Sequence, residues 1–312
     1  MMLENRFICW TTLMIFLVFF SCHRTDQKNE STPTTGIIRI ACDEMLKGIV
    51  MQEEDIFERN YPNAAITIDY LPESQLFEVF LKDTVELIIA SRGLDSIEKK
   101  FLDQQKNLHP REFPMAVSAI ALVAKAGIAD STIGYSELLD IIRGSENTRI
   151  KTLVVEKTRS GIPGYLMSLA GVKALPGNFY AKDSLRAIID YVNTHPEAIG
   201  LVDWSQLSDS DDPIARLLLD RVTLMSLENP SDSLKGKFYQ PYQYNLQDRL
   251  YPLTRTLTFI TRSGKNDLGL GFASFITGDI GQKILLKAGL LPLYQTDRWI
   301  EIHSTGDFRV VQ

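Results

Sequence analysis

The segment Tyr251-Pro252-Leu253-Thr254-Arg255 opens an apolar, β-rich run near the carboxyl end of the chain. Further on, Gly281-Gln282 lies in a helical pattern that leads to Gly289-Leu290-Leu291-Pro292-Leu293. The proline of the first segment fixes φ and has no N–H to donate, which suits a strand entrance. Gly289 can adopt the left-handed conformation after a helix, and the following proline prevents the helix from continuing. These segments predict a strand followed by a helix with a defined end.

Other patterns precede these segments in a regular order. Short strands are predicted at 38–41, 65–70 and 196–201, helices at 55–62 and 135–144, an acid-strand-serine-arginine segment at 86–92, and a loop at 160–161. Strands that alternate with helices indicate an α/β protein. The run Ala116–Lys125 is apolar without polar alternation, so it is expected to be a strand buried on both faces.

Taken in this order, from about Ile37 to about Arg298, the segments resemble the phosphate-binding, PstS-like receptors of ABC importers. The chain is identified as a divergent member of this periplasmic solute-binding family. The resemblance implies an α/β, two-lobed periplasmic-binding-protein type II fold, in which each lobe is a mixed sheet flanked by helices. It also implies that the ligand cleft lies between the lobes.

The resemblance implies that the first lobe is discontinuous, because the strand at Ala116–Lys125 carries the chain from one lobe toward the other. Lobe one is predicted to comprise residues 37–115 and 246–303. Lobe two is predicted to comprise residues 116–245, and residues 304–312 are predicted to form a C-terminal tail.

The amino terminus has the pattern of an export signal. Arg6 precedes an apolar run from Phe7 to Phe20, which is shorter than the ~20 residues that a spanning helix needs. A small residue directly before Cys22 is typical of bacterial lipoprotein signals. Residues 1–21 are therefore predicted to be a lipoprotein signal peptide, Cys22 the lipidation site and residues 22–36 a flexible tether. The alternatives are a single membrane anchor or an ordinary secretory signal.

Composition excludes several classes of protein. The net charge is −6 and no basic run is present, which argues against nucleic-acid binding. The four histidines are scattered without metal-ligand spacing, and no nucleotide fingerprint follows a strand, so no metal or cofactor is expected. Once Cys9 leaves with the signal and Cys22 carries lipid, Cys42 has no partner for an intrachain disulfide.

In the family that the chain resembles, loops at the cleft and helix N-termini hold the anion. The first such loop falls on Cys42-Asp43-Glu44, where acids replace donors, and the second falls on Glu73-Ser74, which keeps one hydroxyl. The family's acceptor aspartate corresponds to Glu86, and the second-lobe serine-glycine loop is kept at Ser160-Gly161. The family's second-lobe arginine becomes Glu156, and Arg159, one position before Ser160, can replace it only if the loop is reshaped. The candidate ligand-binding residues are Asp43, Glu44, Ser74, Glu86, Ser91, Arg92, Arg159, Ser160 and Gly161.

These acids weaken the case for tight phosphate binding. Even at a dielectric constant near 80, each carboxylate ~4 Å from an anion costs about 1 kcal/mol per unit charge. Three outcomes stay open: a cationic or zwitterionic ligand, another anion bound through Arg39, Arg92 and Arg159, or an interaction module without a small ligand. Alternatively, Asp43 and Glu44 cap the first helix and Glu86 faces solvent.

The first interpretation is a membrane-tethered, extracytoplasmic solute-binding protein that closes its lobes around a small ligand, phosphate or another anion. Its expected partner is an ABC permease, its expected state a monomer, and its expected location the bacterial cell envelope, lipid-anchored and facing the periplasm or cell exterior. The alternative is an orphan sensing or scaffold lipoprotein on the same fold, with a different or no small ligand. An enzyme is not expected, because no histidine-based constellation is present; a carboxylate pair such as Glu86 and Glu156 leaves glycoside hydrolysis as the competing hypothesis.

Overall fold

The computed structural model describes residues 31–145, 147–157 and 160–294, together with the strands at 299–302 and 308–311. The strands are β1 (Gly36–Asp43), β2 (Ala64–Leu71), β3 (Leu87–Ala90), β4 (Arg111–Lys125), β5 (Thr132–Ile133), β6 (Thr152–Glu156), β7 (Phe179–Lys182), β8 (Ala198–Asp203), β9 (Val222–Leu224), β10 (Ser226–Glu228), β11 (Phe238–Tyr239), β12 (Thr254–Thr261), β13 (Leu291–Pro292), β14 (Trp299–Ile302) and β15 (Phe308–Val311).

The helices lie between these strands and confirm the predicted α/β alternation. They are α1 (Lys47–Asn60), α2 (Glu73–Leu81), α3 (Ser96–Lys106), α4 (Tyr135–Ile142), α5 (Gly161–Ala170), α6 (Leu185–Thr194), α7 (Pro213–Leu219), α8 (Gln243–Gln247), α9 (Leu268–Thr277) and α10 (Asp279–Lys287). Short 3-10 turns at Glu44–Leu46, Trp204–Gln206 and Asp232–Leu234 complete the connections. Within the described ranges, no helix has the length and apolar character needed to cross a bilayer.

A mixed sheet runs through the whole molecule. Among the described residues it contains ten strands, eight of them in the order β2-β1-β3-β12-β4-β8-β6-β7, while β9 and β13 also pair with β4. The predicted strand at Ala116–Lys125 is confirmed and begins earlier, at Arg111. The first part of β4 pairs with β12 up to Ala119, and its later part pairs with β8 and β9. One continuous strand therefore belongs to both halves of the sheet.

The carboxyl-terminal segments that decide the fold anchor this strand. Tyr251 is buried and its hydroxyl donates a hydrogen bond to the carbonyl of Ile120 at 2.7 Å. The Gln282 side chain, also buried, donates to the carbonyl of Met115 at 3.2 Å. Gly289 follows α10 with φ of 80°, the left-handed conformation that the sequence predicts there. The two segments thus tie the chain end to both parts of β4.

Separate apolar clusters lie on the two parts of the sheet. One contains Ile40, Phe57, Phe259 and Phe272 and spans the strands before the middle of β4, with a smaller cluster around Phe80 on the other face. The other contains residues from Ala119 to Leu253, drawn from β4, β6, β8 and the helices that cover them. We propose that each set is the core of one lobe; the predicted boundaries at 115 and 246 stay predictions. Part of the predicted C-terminal tail forms β15, which pairs antiparallel with β14.

Candidate functional site

Charged side chains from both lobes meet where β1, β3 and β8 end and where β12 begins. Asp43 ends β1, Asp203 ends β8, Ser91 follows β3, and Arg255 is the second residue of β12. The carboxyl ends of strands in open α/β sheets are the usual place for ligand sites. All four residues are at most 5% exposed, so their polar groups depend on one another and not on bulk water.

The Arg255 guanidinium is the centre of this cluster. Its Nη1 donates to Asp203 Oδ2 at 3.2 Å, and its Nη2 lies 3.9 Å from Asp43 Oδ2. The hydroxyls of Ser118 and Ser205 donate to Asp203 Oδ1 at 3.1 and 2.6 Å. Loss of this buried arginine would destabilise the fold, because it would leave the charges of two buried aspartates uncompensated.

The Asp43 carboxylate accepts two hydrogen bonds and also lies near the Arg255 guanidinium. The Ser91 hydroxyl donates to its Oδ2 at 2.5 Å, and the Met45 N–H donates to its Oδ1 at 3.1 Å. Burial raises the pKa of Asp43 to about 6, although Arg255, Ser91 and the Met45 N–H act in the opposite direction. The hydrogen bond to Met45 makes Asp43 the N-cap of the 3-10 turn before α1, whereas α1 itself begins after Leu46 without a side-chain cap.

The Glu73 side chain connects this cluster to a second arginine. Its Oε2 accepts from Arg255 Nη2 at 3.0 Å, and its Oε1 accepts from Arg92 Nε at 3.1 Å. Arg92 also donates to both carboxylate oxygens of Glu98 at 2.8 Å and stacks over the Phe77 ring at 3.6 Å. Burial opposes the charge of Arg92, but Glu98 and Glu73 outweigh it and raise the pKa of Arg92 above its ordinary value.

The second lobe contributes the start of α5. Ser160 precedes the helix, and its hydroxyl donates to the Lys157 carbonyl at 3.1 Å. Gly161 is the first helical residue, and a Cβ at this position would collide with the Glu73 carboxylate and the Arg255 guanidinium. A glycine is therefore required for Glu73 and α5 to approach so closely.

Beside this contact, two further pairs link the lobes. Lys157, which has a left-handed φ of 54°, donates to Glu44 Oε2 at 3.0 Å. The Gln206 amide makes the second link, because it lies 3.6 Å from the sulfur of Met45. Within its own lobe it also donates to Glu156 Oε2 at 3.3 Å. Burial raises the pKa of Glu156, with smaller opposing effects from Gln206 and Lys157.

The predicted site residues divide into three groups. The structure brings together Asp43, Glu44, Ser91, Arg92, Ser160 and Gly161. Ser74 is exposed at the start of α2 and lines a shallow surface groove with Phe77 and Glu98. Glu86 is exposed and precedes β3, so it lies at the opposite end of that strand from Ser91. Arg159 and Cys22 lie outside the described residues.

The sequence interpretation placed Glu73 in the second cleft loop without making it a ligand residue, and it missed Arg255 and Asp203 as site residues. Arg255 stood only in a fold segment, yet it is the one charged residue of β12, whose other residues are threonine or apolar, and an arginine in such a strand signals a buried charge. Arg39, considered as an anion ligand, instead pairs with Asp69 at 2.6 Å on the exposed outer strands. Among the described residues, no group of three or more His, Cys, Asp or Glu side chains is arranged to hold a metal ion.

Comparison with solved structures shows the same fold in phosphate-type receptors. A candidate phosphate ABC transporter substrate-binding protein from Clostridium perfringens, solved with bound phosphate, is 20% identical; the match covers 83% of this chain and 100% of that chain, with a TM-score of 0.64. An ABC-type phosphate transport receptor from Vibrio cholerae is 16% identical over 82% of this chain and 100% of that chain, with a TM-score of 0.64. PstS from Borrelia burgdorferi is 17% identical over 82% of this chain and 98% of that chain, with a TM-score of 0.54.

No curated protein matches the chain. The family model described as the PBP superfamily domain matches residues 27–279, which is most of the chain. The structures named above are solute-binding receptors and not enzymes, in agreement with the expectation from the sequence. The predicted resemblance and the two-lobed α/β fold are confirmed, and the chain belongs to the family of the PBP superfamily domain.

Proposed function

We propose that the protein is a lipid-anchored, extracytoplasmic receptor that binds a small solute between its lobes and presents it to an ABC permease. The observation that carries this proposal is the convergence of Asp43, Asp203 and Arg255 with the start of α5 at the carboxyl ends of strands from both lobes. A solute that contacts both lobes favours the closed state by its differential affinity for that state. The protein would act as a monomer in the bacterial cell envelope, facing the periplasm or cell exterior.

Phosphate is the first solute to test, because it is the ligand named for the similar structures. Among the described residues of the cleft, the arginines are Arg92 and Arg255, and both already bind carboxylates. The carboxylates of the cleft also outnumber its cations among the described residues: they belong to Asp43, Glu44, Glu73, Glu98, Glu156 and Asp203, against Arg92, Lys157 and Arg255. The charges therefore favour a solute that carries a positive group.

We expect the wild-type lipoprotein, purified in detergent, to bind inorganic phosphate no more tightly than about 1 mM. Isothermal titration at low and at physiological ionic strength measures this directly, and titration with lysine and spermidine tests the cationic class. Micromolar phosphate binding that disappears in Ser160→Ala would instead show that the serine-glycine loop still holds an oxyanion. A Thr194→Ala variant, on the exposed end of α6, is the matched hydroxyl control.

The second candidate function is a sensing or scaffold lipoprotein that has no small ligand. The observation that favours it is the Glu44–Lys157 ion pair between the lobes, which needs no solute to form. Small-angle X-ray scattering distinguishes the two functions, because a receptor changes its dimensions with a solute and a scaffold does not. A neighbouring permease and ATPase gene pair would favour the receptor.

The lipid anchor is testable through Cys22. We expect metabolic labelling with an alkyne fatty acid to mark the wild-type protein and to be lost in Cys22→Ser, because the thioether forms on that sulfur. Cys42→Ser, which changes a buried cysteine of the folded part, is the control and should keep the label. Label that persists in Cys22→Ser would contradict lipidation at this residue.

A further inference from the structure

The Glu73 carboxylate occupies the meeting point of the two cleft arginines and helix α5. It accepts one hydrogen bond from Arg255 and one from Arg92, at 3.0 and 3.1 Å. It also lies so close to Gly161 that no side chain fits there. The N-terminus of a helix favours an anion, because its first N–H groups and its dipole are positive. Glu73 thus places an anion where two arginines and a helix N-terminus converge.

We propose that Glu73 determines the solute specificity of the cleft: its carboxylate is a built-in anion that satisfies these donors and excludes free oxyanions. The inference rests on the proposed receptor function and specifies which class of solute the cleft rejects. It also explains how Arg92 and Arg255 coexist with a solute that is not an anion, since both of these described guanidinium groups already bind carboxylates.

The arginines do not need Glu73 as a counter-ion. Arg255 retains Asp203 at 3.2 Å and Asp43 at 3.9 Å, while Arg92 retains both oxygens of Glu98. Glu73 is therefore an additional negative charge in a cluster that is already compensated. Its side chain is only 13% exposed, so this charge is largely removed from water. The Glu73 carboxylate is not needed for charge balance and accepts hydrogen bonds from two convergent arginines. It therefore occupies the position that an anionic ligand would take.

Removal of this carboxylate would leave donors that fit a small oxyanion. Arg255 Nη2 and Arg92 Nε would each lose their acceptor, and the space beside Gly161 would open. Phosphate and formate can both accept hydrogen bonds from two arginines, since guanidinium groups match oxyanion geometry. Formate is the smaller, singly charged probe and corresponds to the carboxylate that the Glu73→Ala change removes.

The test compares Glu73→Ala with the wild type as full-length lipoproteins in detergent, titrated with inorganic phosphate and with formate. We expect Glu73→Ala to bind phosphate about 10- to 100-fold more tightly than the wild type, as expected for the recovery of one charged hydrogen bond. Glu44→Ala is the matched control, because it removes a cleft carboxylate that pairs with Lys157 and not with an arginine. Glu86→Ala controls for net charge at an exposed position. Glu86→Ala should bind phosphate like the wild type, and Glu44→Ala should gain less than Glu73→Ala, because it removes a cleft carboxylate without freeing an arginine.

Glu73 also begins α2, so the competing explanation is a favourable charge in the first turn of that helix. That role predicts a lower melting temperature for Glu73→Ala and no gain in anion binding, which would overturn the proposal. Equal gains in Glu73→Ala and Glu86→Ala would also overturn it. If Glu73→Ala does not fold by circular dichroism, Glu73→Asn keeps a polar residue at the helix start and carries the same expectation.

The two proposals fail in different ways. Tight phosphate binding by the wild type would contradict the role of Glu73 and leave the receptor function intact. A folded Glu73→Ala protein that does not bind phosphate would also contradict the role of Glu73. The receptor function would stand if the wild type binds another solute. A gain in Glu73→Ala, with no scattering change for any solute in the wild type, would support the role of Glu73 and contradict the receptor function.

Discussion

Replacement of Arg255 by methionine is expected to lower the free energy of unfolding by about 3–5 kcal/mol near neutral pH. The variant keeps the apolar stem but leaves the carboxylates of Asp43 and Asp203 buried without their shared cation. Urea denaturation of the wild type and the variant measures the difference. Arg39→Met is the matched control: Arg39 pairs with Asp69 but its side chain is 72% exposed, so we expect a much smaller cost than for Arg255→Met.

The pH dependence of this cost tests its origin. The pKa of Asp43 is raised to about 6 in the native protein, mainly by burial, and loss of Arg255 would raise it further. Protonation of Asp43 then removes one of the uncompensated charges, so the penalty of Arg255→Met should shrink as the pH falls from neutral to about 5. A penalty that is the same at both pH values would indicate lost packing instead of lost charge.

Replacement of Glu53 by glutamine is expected to stabilise the protein by about 2–3 kcal/mol at pH 7. Glu53 lies on α1 with 1% exposure, and neither carboxylate oxygen has a hydrogen-bond partner among the described residues. Burial raises its pKa to about 9 from an ordinary value of 4.5. At pH 7 the unfolded chain carries an ionised Glu53 and the folded chain a neutral one, so folding must take up a proton.

The sign of the pH effect follows from this proton uptake. Because the folded pKa is the higher one, the contribution of Glu53 is least unfavourable below pH 4.5 and worsens as the pH rises toward 9, by about 1.4 kcal/mol per unit. Urea denaturation between pH 5 and 8, a range of about three units, should therefore show a flatter profile for Glu53→Gln than for the wild type. Glu54→Gln, on the more exposed adjacent position, should change the profile less. Parallel profiles for the wild type and Glu53→Gln would contradict a buried neutral carboxyl.

Local sequence patterns predicted the elements of the fold because each depends on neighbouring residues. The apolar run Ala116–Lys125 identifies a buried strand without any partner, and Gly289 marks a helix end through its own φ. The start of β4 at Arg111 was not predicted, since the extra residues pair with β12, whose position the local sequence does not reveal.

The candidate site was predicted only in part, because it depends on contacts between distant residues. Arg255 meets Asp43, Glu73 and Asp203 only after β12 has paired antiparallel with its neighbours. Glu86 was predicted as a ligand residue only as the counterpart of the family's acceptor aspartate. It lies before β3, whereas the clustered side chains follow the carboxyl ends of β1, β3 and β8.

The continuous strand β4 limits how the protein can be divided. Its first part belongs to the sheet of one lobe and its second part to that of the other, so a cut within Arg111–Lys125 would divide the strand that the two halves of the sheet share. Each fragment would then expose unpaired strand edges, which promote association between chains. A gene encoding only lobe two should thus yield aggregated protein, and a binding module made from this chain must retain both lobes.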